Sequence, residues 1–178
     1  MSERAISWLD RYTARDARLS KQVARLANTP AKRTLAQFLA HSGDSQFWLV
    51  AGALLRRKPM PASRTAGSRI IAVTLLGALL SYVLKWYIQR PRPGNPASGL
   101  YLPFDRHSFP SGHATRIGGL LVTLGQQMPW WGRVLLTLWG LSVSLSRVAL
   151  GIHFIGDVVA GLLSGMVMGL LLLSNKRF

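Results

Sequence analysis

Apolar residues in this chain come in long runs, not in the alternation of strands or the one-sided stripes of soluble helices. Residues 70–88 and 152–173 are almost continuously apolar, each close to the ~20 residues a helix needs to cross a bilayer. A third run opens at 134–145, and 114–127 reads as a helix between the others. Residues 34–55 are apolar at both ends with His41, Ser42, Gly43, Asp44, Ser45 and Gln46 between. That pattern predicts a short helix, a bend at Gly43, and a span beginning near Asp44 with Asp44 as its cap. Residues 56–69 read as a basic loop, and 89–108, rich in Pro and Gly, as another. Residues 128–133 read as a turn whose Trp130 and Trp131 suit a membrane interface. In residues 1–33, Ile6, Leu9, Ala17, Val23 and Leu26 form a loose amphipathic pattern. It predicts one or two helices lying on the headgroups, with a partly disordered basic tail as the alternative. The expected fold is all-α: an integral membrane bundle of about four to six helices in or on the membrane.

Composition narrows this further. The chain has 178 residues, 49% of them hydrophobic, and a formal charge of +16 from 22 basic and 6 acidic residues. Such a charge fits either a nucleic-acid binder or a membrane protein with basic loops on anionic lipid, and the apolar runs select the second. With no cysteine, disulfides and thiolate metal sites are excluded. No apolar leader stands in the basic N-terminal segment, so insertion is expected through the internal spans. Gly161, Gly165 and Gly169 recur along one helix face, as where helices pack closely in lipid.

Three polar stretches stand at the ends of the predicted spans. The first holds Lys85 and Arg92-Pro93. The second is Ser108-Phe109-Pro110-Ser111-Gly112-His113, and the third holds Ser146-Arg147, His153 and Asp157. Alternating crossings bring Lys85, His113, Arg147 and His153 to one membrane face. The basic loop 56–69, Arg133, Lys176 and Arg177 fall on the other, which the positive-inside tendency makes cytoplasmic. The eight basic residues of 1–33 complicate this. One crossing before residue 56 puts them at the site's face; a re-entrant hairpin at 34–55 puts them opposite.

Ionisable groups beside an apolar span are costly and mark function. Their bland alternatives are a snorkelling Lys85, a structural His153–Asp157 pair, and interfacial or supporting roles for Arg90, Arg106, His107 and Arg116. Against these stands the combination. Lys85, Arg92 and Arg147 are three cations suited to phosphate, the arginines as planar forks and the lysine as a point charge. Ser111 and Gly112 precede a helix, where free N–H groups favour an anion. His153 and Asp157, four apart on a helix, can meet, and a carboxylate on one ring nitrogen would fix the tautomer. Two histidines can divide attack on phosphorus from protonation of the leaving oxygen.

These stretches, in this order, resemble the signature of the type 2 phosphatidic acid phosphatase (PAP2) superfamily. Every defining position is filled: Lys85, Arg92, Pro93; Pro110, Ser111, Gly112, His113; Ser146, Arg147, His153, Asp157. The resemblance covers about residues 70–173, with a weaker echo at 41–48. It divides the chain into a basic surface segment, 1–33, and a PAP2-like transmembrane phosphatase domain, 34–178. The resemblance implies a phosphatase that uses no metal or other cofactor. His153 would form a phosphohistidine, Asp157 would orient it, and His113 would protonate the leaving group. Lys85, Arg92, Arg147, Ser111 and Gly112 would hold the phosphoryl oxygens.

No extramembrane domain is large enough to close over a soluble sugar phosphate, so the expected substrate is a lipid phosphate in the bilayer. Residues 108–116 resemble the polyisoprenoid diphosphate branch most, favouring a prenyl diphosphate such as undecaprenyl diphosphate. The alternatives are a phosphatidic acid or phosphatidylglycerophosphate phosphatase, a lipid phosphotransferase, and a non-catalytic lipid-binding scaffold. A nucleic-acid partner is not expected, and oligomeric state is left open. The expected location is the cytoplasmic (inner) membrane with the site facing outward.

Overall fold

The computed structural model describes residues 3–93 and 106–174. Among the described residues there is no strand, and the chain folds as seven α-helices. They are α1 (Glu3–Ala24), α2 (Pro30–Ser42), α3 (Ser45–Arg56), α4 (Pro61–Ile88), α5 (Gly112–Gly125), α6 (Trp130–Ala149) and α7 (Ile155–Ser174), with a 3-10 turn at Arg25–Ala27. The helix α5 is the centre of the molecule, mostly buried and packed on α4, α6 and α7.

The closest packing is between α5 and α7, which run parallel. A Cβ on Gly161 would come 2.7 Å from the Ser111 carbonyl oxygen, and one on Gly165 would overlap the Thr115 carbonyl. The glycines let the two backbones touch, and so bring the starts of both helices to one end of the bundle. The outer faces are apolar: Leu76, Leu79 and Trp86 on α4, Leu135, Leu138 and Leu141 on α6, Leu163, Val167 and Leu170 on α7 are all exposed. A soluble protein rarely shows so continuous an apolar belt. By length and composition α4 and α7 suffice to cross a membrane, with mean hydropathies of 1.7 and 2.0.

The pair α2–α3 runs along the bundle as a helical path that is broken in the middle. At 13 and 12 residues, each helix is only about 18–20 Å long, short of the ~30 Å hydrocarbon core. The first lies along α6, where Trp139 Nε1–H donates to Ser42 Oγ (3.0 Å). The second continues along α4, where Gly52 meets Gly67 and Ile70. Exposed backbone polar groups at this depth need protein partners. Arg116, buried on α5, supplies them: its guanidinium donates to the Gly43 carbonyl and to Ser45 Oγ. Trp48 Nε1–H adds a bond to the Ser42 carbonyl (3.1 Å).

Several sequence expectations change. The loop at 56–69 shrinks to 57–60, because Pro61 opens α4, its fixed φ suiting a first helical position. The turn at 128–133 ends at Pro129, the N-cap of α6, so Trp130 to Arg133 are already helical. The bend at Gly43 is present and Asp44 occupies the N-cap of α3, but its side chain makes no capping bond. Most of the 89–108 loop, and Lys176 and Arg177, lie outside the described residues. The start of α1 is helical, and its inward face combines the buried polar Asp16 and Ser20 with Val23, which packs against Ala114, Val148 and Val158, while Tyr12 and Leu19 are exposed. It docks on the start of α7 through Asp16 and Ser20.

Candidate active site

The site forms where α4 ends and α5 and α7 begin. After Ile88, Gln89 turns the chain with φ 49° and leads into Arg90 and Arg92. Ser108 is stitched to that segment: its N–H donates to the Arg90 carbonyl (2.8 Å) and its hydroxyl to the Pro91 carbonyl (3.0 Å). Arg92 Nη1 reaches the Ile152 carbonyl (3.1 Å) in the turn between α6 and α7. That turn passes through Gly151 at φ 70°, a left-handed conformation that glycine adopts without strain. The N–H of Ser111 donates to the Asp157 carbonyl (3.0 Å), tying the start of α5 to α7.

His153 is buried in this junction. Its Nδ1 lies 2.8 Å from the Ser108 carbonyl oxygen and 3.6 Å from Asp157 Oδ2. A carbonyl only accepts, so Nδ1 carries the proton and Nε2 keeps its lone pair. The tautomer is therefore fixed first by a backbone carbonyl, with the Asp157 carboxylate behind it. Asp157 is fully buried; its Oδ2 accepts the Phe154 N–H (2.8 Å) and its Oδ1 accepts from Arg90 Nη1 (2.7 Å). Burial, with the charges of Arg147, Arg92 and Lys85, outweighs the upward pull of Asp157 and lowers the His153 pKa to about 4. Arg147 is buried, and Ser111 Oγ is buried without a hydrogen-bond partner in the protein.

His113 stands in the first turn of α5, and its Nε2 is 2.8 Å from Asp44 Oδ1. The other Asp44 oxygen, Oδ2, is 2.8 Å from His41 Nδ1. Asp44 thus lies between the two imidazoles. As an ionised acceptor it requires that His113 carry its proton on Nε2. The charge of Arg147 is felt at both histidines.

The structure gathers His153, Asp157, Arg92, Ser111 and Gly112 at one junction, and the charges of Lys85 and Arg147 act on the His153 ring. It also recruits residues that sequence reasoning missed. The Ser108 carbonyl and Asp16 had no assigned role, Asp44 was read as a helix cap, and Arg90 was read as interfacial or supporting. For Ser108 the signal was its place five residues before His113; for Asp44 it was the echo at 41–48, though its bond to His113 spans 69 residues, and Asp16 offered none, since its partners are far along the chain.

Two imidazoles, each tied to a hydrogen-bond partner, thus stand near the starts of α5 and α7 in an apolar helical bundle. The chain belongs to the PAP2 superfamily, whose profile matches residues 66–177. The chain is 34% identical over 148 residues to decaprenylphosphoryl-5-phosphoribose phosphatase of Mycolicibacterium smegmatis, covering 82% of this chain and 80% of that one. It is 33% identical over 135 residues to an undecaprenyl-diphosphatase of Sulfolobus acidocaldarius, covering 74% and 64%. The fold matches the crystal structure of a transmembrane PAP2-type phosphatidylglycerolphosphate phosphatase from Bacillus subtilis with a TM-score of 0.71, 25% identity, and coverage of 94% and 89%. It matches LpxE of Aquifex aeolicus at 0.70, with 23% identity and coverage of 88% and 96%.

Proposed function

We propose that this protein hydrolyses a lipid phosphate or diphosphate headgroup, a prenyl diphosphate being favoured, through a phosphohistidine on His153. The observation that carries the reading is the His153 ring, its Nδ1–H held by the Ser108 carbonyl and Nε2 left as nucleophile among Lys85, Arg92 and Arg147. In the first step Nε2 attacks phosphorus and the bond to the leaving oxygen breaks, while His113 gives that oxygen a proton. With Nε2–H of His113 on Asp44, the proton given is the second one, carried on Nδ1 by the imidazolium that the Asp44 carboxylate stabilises. In the second step water attacks the phosphohistidine, its proton returns to His113, and the P–N bond breaks. Lys85, Arg92, Arg147 and the Ser111–Gly112 turn hold the equatorial oxygens throughout, and Asp157 supports the His153 imidazole as it gains charge.

The two relatives above that act on prenyl-linked substrates support a prenyl phosphate or diphosphate. The Bacillus structure keeps phosphatidylglycerophosphate as the second candidate. The proposed location is the cytoplasmic membrane with the site facing outward, on the charge of Arg57, Lys58, Arg64 and Arg133 at the other end of the bundle. The cations of α1, which docks at the site's own end, favour the reverse orientation. A substrate panel of prenyl phosphates, prenyl diphosphates, phosphatidate and phosphatidylglycerophosphate, run in EDTA, tests the chemistry. Phosphate release from a prenyl diphosphate is expected; release from none of the panel, or only with added metal, would overturn the reading.

A further inference from the structure

The first turn of α7 carries Asp157 and follows directly on His153, so its position sets theirs. The leading N–H groups of a helix have no partner within it and must find one elsewhere. Asp157 satisfies the first, reaching back to the Phe154 N–H as the third residue of a capping box does. The next two are satisfied by another helix. Ser20 Oγ accepts the Ile155 N–H (2.9 Å), and Asp16 Oδ1 accepts the Gly156 N–H (3.0 Å). These partners are 135 and 140 residues away in the chain, on α1, outside the 66–177 region that defines the family.

Asp16 also reaches the site along a second route. Its Oδ2 accepts from Arg90 Nη2 (2.8 Å), and Arg90 Nη1 donates to Asp157 Oδ1 (2.7 Å). One guanidinium thus spans two buried carboxylates, and stacks over the Phe154 ring with 4.1 Å to its centroid. Gly156 confirms how closely α1 is seated: a Cβ there would fall 2.7 Å from Asp16 Oδ2 and 3.0 Å from the Tyr12 hydroxyl. The exposed neighbours Arg15, Arg18 and Leu19 make the buried polar pair Asp16–Ser20 the docking face of the helix.

We infer that Asp16 is a positioning residue for the phosphoryl-transfer site: it caps α7 from α1 and, through Arg90, holds Asp157 behind His153. The inference rests on the functional reading above for what is positioned, and on the hydrogen bonds alone for the clamp. Loss of the Asp16 carboxylate leaves the second N–H of α7 unsatisfied and Arg90 attached to Asp157 alone. It adds no negative charge near the substrate, so binding of a phosphate is not expected to weaken.

The test uses the full-length protein in detergent, comparing Asp16→Ala, Gly156→Ala, which crowds α1 off by a steric route, and the exposed control Arg18→Ala. Hydrogen exchange at residues 155–158 reads the clamp, and kcat and KM are measured on whichever lipid phosphate the wild type hydrolyses. Asp16→Ala and Gly156→Ala should each raise exchange there about fivefold, as loss of a cap does. They should lower kcat about 10- to 100-fold through misplacement, with KM not raised. The control should match wild type in both. Unchanged exchange would overturn the clamp; raised exchange with kcat intact, or a loss confined to KM, would overturn the positioning role. A wild type inert toward every lipid phosphate would sink the functional reading instead, while the exchange measurement still judged the clamp.

Discussion

His153 can be a nucleophile only while its ring is neutral, and its surroundings favour that form. Burial, helped by Arg147, Arg92 and Lys85, outweighs Asp157 and lowers its pKa from 6.5 to about 4. The acidic limb of kcat/KM should therefore fall below the ordinary histidine range, near 4, in a pH–rate profile; a limb at or above 6.5 would contradict this environment. The sign for stability follows. The unfolded chain takes up a proton at His153 between 6.5 and 4 while the folded protein does not, so stability should decline as pH falls through that window. At His113 the pairing is with the Asp44 carboxylate. Asp44→Asn leaves Nε2 of His113 without an anionic partner. It should lower kcat by about tenfold, a fraction of the 10²–10⁴ that general acid catalysis supplies. Stopped-flow or steady-state kinetics with equal amounts of folded protein would measure it.

Among the elements, the glycines of α7 and the break in α2–α3 carry the architecture. Gly165→Leu would drive a side chain into the Thr115 carbonyl, and overpacking of that kind costs about 1–3 kcal/mol or more. A lowered melting temperature in detergent, with activity lost at temperatures where wild type survives, is the expected result. Arg116→Gln should also destabilise, because the Gly43 carbonyl and Ser45 hydroxyl lose the charged donor that closes the break. Most of these elements were legible in the sequence: the apolar runs gave α4, α6 and α7, and Gly43 gave the bend. The glycine spacing announced close packing but could not name α5 as the partner. What misled was chemistry with two meanings. Ser63, Thr65 and Ser68 look like loop residues, yet follow a proline that starts a helix. Asp44 looks like a cap, yet turns to a histidine 69 residues away. Local spacing carries the motif residues, whereas Asp16, Asp44 and Arg90 act across separations that only the folded chain reveals.

For the molecule as a whole, the apolar belt predicts a protein that salt does not extract and detergent does. The broken α2–α3 path sets a topology: α1 stands at the site's end, and the 57–60 turn and the end of α7 at the other. The chain has no cysteine, so single cysteines at Arg18 and Lys58 can be labelled in intact cells with an impermeant maleimide. Under the proposed orientation Arg18→Cys labels from outside and Lys58→Cys does not; the reverse pattern would turn the site inward. The account stands or falls, however, on the covalent step. Rapid quenching of the wild type with a 32P-labelled prenyl diphosphate should trap an acid-labile, alkali-stable phosphoenzyme whose label maps to His153 and is lost in His153→Ala. Label on any other residue, or full phosphate release by the His153→Ala protein, would contradict it.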